Sequence, residues 1–132
     1  MDRLDQATAV LRGPITCLND LVGRCVTRVE CTNDELILYL TDHQWVRFYH
    51  EQDCCESVYI EDICGDLEDL VDSPFVFAEE STNRGTGEYG DSATWTFYRF
   101  QTRKGSVDVR WCGESNGYYS ESVDIHFENP CH

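Results

Sequence analysis

The fold is decided by three runs and the turns between them: Cys25-Val26-Thr27-Arg28-Val29-Glu30-Cys31, Leu36-Ile37-Leu38-Tyr39-Leu40 and Trp45-Val46-Arg47-Phe48-Tyr49-His50. Thr32-Asn33-Asp34 separates the first two and Asp42-His43 the last two. Each run is rich in β-branched and aromatic residues and alternates with period two. In an extended chain that period sends neighbouring side chains to opposite faces, so one face of each run can be buried. Turns this short join strands antiparallel. The stretch therefore predicts a three-stranded meander.

On the N-terminal side, residues 3–12 predict a short helix with Leu4, Ala7 and Leu11 on one side, ended by Gly13-Pro14. Residues 16–22 predict a further helical turn, stopped by Gly23. On the C-terminal side, Ser57–Ile63 predicts a strand. Leu67–Val71 predicts a short helix with Asp66 as its N-cap and acids in its first turn. Ser73-Pro74 ends it, and Phe75–Ala78 predicts another strand. Residues 81–92 are polar and rich in glycine, and are expected to form a mobile loop. They lack the Gly-Lys-Ser/Thr ending of a phosphate loop. Thr94–Phe100 and Ser106–Trp111 form a hairpin about Arg103-Lys104-Gly105. Gly113–Gly117 reads as the next turn and Tyr118–Phe127 as the last strand. The expected fold class is α+β: a single domain spanning residues 1–132, mainly antiparallel sheet with one to three short helices.

The composition narrows the function. A chain 41% hydrophobic and 12% aromatic can build a core, which argues against disorder. Its 25 acids against 10 basic residues leave a net charge of -15. Such a field repels nucleic acid and anionic membranes and attracts basic proteins, metal ions and cationic ligands. The acids are concentrated. Between Arg47 and Arg84 there is no Lys or Arg, whereas Asp62, Asp66, Glu68, Asp69 and Asp72 fall close together. These five carboxylates are the candidate partner-binding surface, because acids along a sheet edge and a helix can present themselves to a basic groove as phosphates would. The alternative is a plain solvated face. Met1-Asp2-Arg3-Leu4-Asp5 is charged and no apolar run approaches membrane-span length, so the expected location is the cytoplasm, without membrane contact. Thiols stay reduced there, and the eight cysteines are then not expected to form a disulfide framework.

The run His50-Glu51-Gln52-Asp53-Cys54-Cys55-Glu56 carries the metal reading. Thiolate and neutral imidazole are the usual zinc ligands, so His50, Cys54 and Cys55 are the candidate set. Asp53, Glu56, Cys64 and Cys112 are among the options for a fourth ligand. The alternatives are two reduced thiols, a vicinal disulfide or a redox role. Cys17, Cys25 and Cys31 are spaced as small core residues, and Cys131-His132 as an adventitious metal binder. A catalytic cysteine needs a depressed pKa, which the surrounding acids oppose. No nucleophile elbow, His-Glu-x-x-His helix or deaminase signature occurs, so an enzyme is not expected. Trp111, Asn116, Tyr118 and Tyr119, beside a turn, suit either packing or a contact patch.

The motifs His50-Glu51-Gln52-Asp53-Cys54-Cys55-Glu56-Ser57-Val58-Tyr59-Ile60-Glu61-Asp62, Thr94–Tyr98 and Arg110-Trp111-Cys112-Gly113-Glu114-Ser115-Asn116-Gly117-Tyr118-Tyr119-Ser120 resemble a family of small phage and prophage proteins across roughly residues 20–125. That pattern favours other residues where this chain has Cys112 and glycine where it has His43, which leaves His50, Cys54 and Cys55 as the stronger ligands. In size and acidity the chain also resembles the zinc-containing anti-CRISPR proteins of the type II-A class. The resemblance implies an inhibitor with a structural zinc. It would bind a guide-loaded type II CRISPR effector nuclease in the cytoplasm of the bacterial host and stop target DNA from loading. The competing readings are a small-ligand binder or sponge near Asn116, and a metal-dependent hydrolase with an open coordination position.

Overall fold

The computed structural model describes residues 14–87 and 90–129. The helix expected over residues 3–12, and Cys131-His132, lie outside them.

Among the described residues, eight strands form two four-stranded antiparallel sheets. The first contains β1 (Val26–Cys31), β2 (Leu36–Leu40), β3 (Trp45–Tyr49) and β8 (Asp124–Glu128), in the order β1-β2-β3-β8. The second contains β4 (Ser57–Cys64), β5 (Phe77–Thr86), β6 (Ser92–Gln101) and β7 (Ser106–Ser115), in the order β4-β7-β6-β5. The expected meander is present, with Leu36 opposite Phe48 and Leu38 opposite Val46. The chain leaves the first sheet after β3, builds the whole second sheet, and returns as β8 against the free edge of β3.

Period-two patterning explains the core. Leu36, Leu38, Leu40, Val46 and Phe48 turn inward from the first sheet, and Tyr98, Phe100, Val107, Val109 and Trp111 from the second. The Phe48 ring meets Tyr98 edge-on at 4.8 Å and Phe100 at 5.8 Å, which joins the two sheets at their centre. The Tyr98 hydroxyl donates to Glu80 Oε2 at 2.5 Å, so this fully buried phenol is hydrogen-bonded. Burial, reinforced by Glu80, holds its ionisation far above the ordinary range.

Three expectations need correction. No α-helix occurs among the described residues. The helical segments are 3-10 turns of three or four residues, at Leu18–Leu21, Thr41–His43 and Leu67–Leu70. Asp66 does cap the last of these, accepting from the Glu68 amide at 3.0 Å, but four residues are too few to propagate an α-helix. The protein is mainly antiparallel β. Residues 81–86, read as a mobile loop, are instead the second half of β5, paired with β6 from Ser81↔Phe97 to Thr86↔Ser92. Finally, residues 118–123 are not strand, and β8 begins only at Asp124.

Gly65 stands at φ +107° in the turn after β4. A Cβ there would collide with the Ser106 carbonyl oxygen and lie 3.2 Å from Val107 Cα, so glycine lets the chain pass close beside β7.

Candidate functional site

The His50 loop connects the two sheets. β3 ends at Tyr49, opposite Asp124, and β4 begins at Ser57. The loop between them wraps around its own carboxylate. Glu56 accepts from the Asp53 amide at 2.8 Å and the Cys54 amide at 2.9 Å, and lies 2.7 Å from His50 Nε2. His50 Nδ1 lies 2.8 Å from the Ser122 carbonyl oxygen, across 72 residues of sequence. Gln52 Nε2 donates to the Glu56 carbonyl at 2.6 Å, and the Glu51 amide to Asp124 Oδ2 at 2.8 Å. The His50 and Glu56 side chains are almost wholly out of solvent. Each ring nitrogen has a hydrogen-bond partner. The His50 hydrogen bond, followed by the Cys54 and Asp53 amides, pulls the Glu56 carboxyl down to about 2.

Cys54 and Cys55 are joined as a vicinal disulfide. The three expected ligands share this one loop. Among the described residues no group of three or more His, Cys, Asp or Glu side chains is placed to hold a metal. Glu56, one option for the fourth ligand, is instead the buried partner of His50. The other two cysteine options lie on the second sheet, Cys64 opposite Asp108 and Cys112 opposite Tyr59. Burial pushes the Cys112 thiol up, and its hydrogen bond with Tyr59 pushes that phenol up to about 12. Cys17 and Cys31 are exposed and Cys25 half-buried, contrary to their expected core positions. Core spacing alone did not distinguish them from surface residues.

Of the five expected partner-binding carboxylates, Asp62, Asp66, Glu68 and Asp72 are exposed. Asp62 lies on β4 with its carboxylate 4.0 Å from Arg110 Nη2, and Glu61 lies 2.8 Å from Arg110 Nε. Asp69 is half-buried: its carbonyl accepts from Thr102 Oγ1 at 2.6 Å, and its carboxylate packs against Gly105. Lys104 Nζ donates to the Val71 carbonyl at 2.6 Å, which brings one cation to the edge of the face. Asp69 is thus partly packed, and the other four are exposed.

The aromatic candidates separate. Trp111 is in the core and Tyr118 is 88% exposed. Asn116 and Tyr119 line a cavity of about 330 Å³ with Cys55, Ser57, Asp91 and Glu114. Glu121, which the sequence did not single out, accepts from Thr94 Oγ1 at 2.8 Å and from Ser115 Oγ, holding residues 116–123 against the second sheet. Burial raises its pKa, but the Ser115 and Thr94 bonds outweigh that, and the carboxyl sits below its usual value.

A two-sheet antiparallel β-protein with an acidic face and a carboxylate-anchored histidine loop is the class that this architecture defines. Residues 19–125 match the family described as a domain of unknown function, DUF7448, and the chain belongs to that family. No curated protein and no solved structure matches it. Among the described residues no helix is long and apolar enough to cross a membrane.

Proposed function

We propose that the protein is an acidic inhibitor and not a catalyst. Its partner is a basic nucleic-acid-binding protein, a host defence nuclease of the type II CRISPR effector class. By docking on the groove that receives target DNA it blocks loading, in the cytoplasm of the bacterial host. The observation that carries this reading is the exposure of Asp62, Asp66, Glu68 and Asp72 within a segment free of Lys and Arg, on a chain of net charge -15. Opposed charge of that kind accelerates encounter and makes it salt-sensitive. The choice of a CRISPR effector rests on the resemblance in size and acidity, and the structural zinc on the ligand types of His50, Cys54 and Cys55. In the structure the two sulfurs are bonded to each other and both His50 nitrogens have partners. A zinc-bearing form requires the reduced cysteines.

The test is binding of the full chain to a guide-loaded type II effector, with DNA cleavage measured in parallel. The variant is Asp62→Lys/Glu68→Lys/Asp72→Asn. Asp66 is left as the cap, and asparagine at 72 tolerates the φ of 63° found there. Loss of binding and inhibition at an unchanged thermal midpoint supports the reading. Unchanged affinity rules out this face, and no binding by the wild type overturns the inhibitor reading. The cavity beside Asn116 and Tyr119 favours a second reading, a small-ligand binder or sponge, which ligand retained through purification would support.

A further inference from the structure

The outer face of the first sheet carries a second cavity, of about 600 Å³, within the range of small-molecule sites. Strand register builds its floor. Arg28 stands opposite Tyr39, and Tyr39 opposite Trp45, so a guanidinium and two aromatic rings form one row across β1, β2 and β3. The Arg28 guanidinium lies 4.2 Å from the Tyr39 ring centroid and reaches Glu30 only at 3.8 Å. Glu30 is engaged by the Tyr39 hydroxyl, at 2.7 Å. Behind the row the buried Gln44 is held between Arg24 Nη1 at 2.6 Å and Asn129 Oδ1 at 2.8 Å, which makes the back wall rigid.

The rim holds the decisive residue. His43 is exposed, lines the cavity and stands at φ 63°, in the left-handed region where a side chain costs conformational energy that glycine does not. Among the described residues its imidazole makes no hydrogen bond or ion pair. A left-handed histidine at the rim of a cavity suits a ligand contact. The chain has only 10 Lys and Arg and four His, yet one of each kind meets two aromatic rings at this cavity.

We infer that this cavity binds a small ligand that combines a flat aromatic ring with a single anionic group, carboxylate or phosphate. The ring lies against Trp45 and the row beside it, as bases lie on aromatic platforms. The anion meets Arg28 and His43, with Thr41 at the rim. A net charge of -15 disfavours a polyanion, so the ligand is a small singly substituted anion and not a nucleic acid. Its lining includes none of the exposed acids and shares no residue with the Asn116 cavity.

The test is calorimetric titration of the full chain with 5′-AMP and with indole-3-acetate, and with uncharged adenosine as control. Saturable binding of at least one anion, with Kd below about 1 mM and affinity about tenfold above adenosine, is expected. Which anion binds tells phosphate from carboxylate. His43→Gly should weaken binding about fivefold or more while raising the thermal midpoint, a combination that a purely structural histidine would not give. Arg28→Gln should weaken binding similarly. No saturable binding of either anion, or His43→Gly binding as tightly as the wild type, overturns the inference.

Discussion

Replacing Phe48 by alanine tests whether the two sheets close on each other as described. Phe48 is fully buried on β3 and is the first-sheet residue that meets both Tyr98 and Phe100 of the second, at 4.8 and 5.8 Å. Truncation removes the ring from both contacts and leaves a cavity between two sheets held by backbone ladders, which cannot collapse freely. A phenylalanine-to-alanine change of this kind costs about 3–5 kcal/mol. At ordinary stability per residue, a 132-residue chain is stable by about 7–20 kcal/mol, so the variant still folds. With a urea slope of about 2 kcal/mol/M, the midpoint should fall by about 1.5–2.5 M with the slope unchanged. Phe48→Leu, which keeps most of the volume, should cost about 1 kcal/mol. Equilibrium urea unfolding followed by tryptophan fluorescence measures both. A fall below about 0.5 M for the alanine variant would show that Phe48 does not bridge the sheets, and the sandwich would be wrong.

Three further outcomes are expected. The Glu56 carboxyl is held at about 2 in the folded protein against an ordinary 4.5, so its contribution is complete above about pH 4.5 and disappears as pH falls towards 2. Glu56→Gln should therefore be less stable than wild type at pH 7, and the thermal midpoints should converge between about pH 4.5 and 2; a constant gap would refute the His50–Glu56 bond. Gly65→Ala, which meets the Ser106 carbonyl at φ +107°, should cost about 2–4 kcal/mol, whereas Gly90→Ala, at φ +86° with open space around it, should cost about 1 kcal/mol. Equal losses by urea titration would argue against the close passage of the two chains at Gly65. Native mass spectrometry before and after reduction tests the zinc proposal: one zinc per reduced chain, absent from Cys54→Ser/Cys55→Ser, is expected, and a metal-free reduced chain refutes it.

The elements legible in the sequence are those whose stability comes from their own pattern. Leu36–Leu40 and Trp45–Tyr49 alternate cleanly and are joined by short turns, so both the strands and their pairing followed from local order. The same holds for the β6–β7 hairpin. β5 was not legible. Ser81-Thr82-Asn83-Arg84-Gly85-Thr86 has the composition of a loop and is exposed along its length. It is strand because β6 presents a full row of backbone donors and acceptors that some partner must satisfy, and tertiary context outweighs weak propensity. The site divides in the same way. The residues His50, Cys54, Cys55 and Glu56 stood out by type and spacing, but their partners did not.

By itself the sequence determined the strand-rich class and the acidic segment between Arg47 and Arg84, because alternation and charge are local properties of the chain. Only the tertiary structure decided that β8 returns to β3, that His50 is held between Glu56 and Ser122, that Asp69 is partly packed while the other four acids are exposed, and that Arg28, Tyr39 and Trp45 line one cavity. Each of these depends on contacts between distant segments or on which face a side chain takes once the sheets have closed, and spacing along the chain does not encode either.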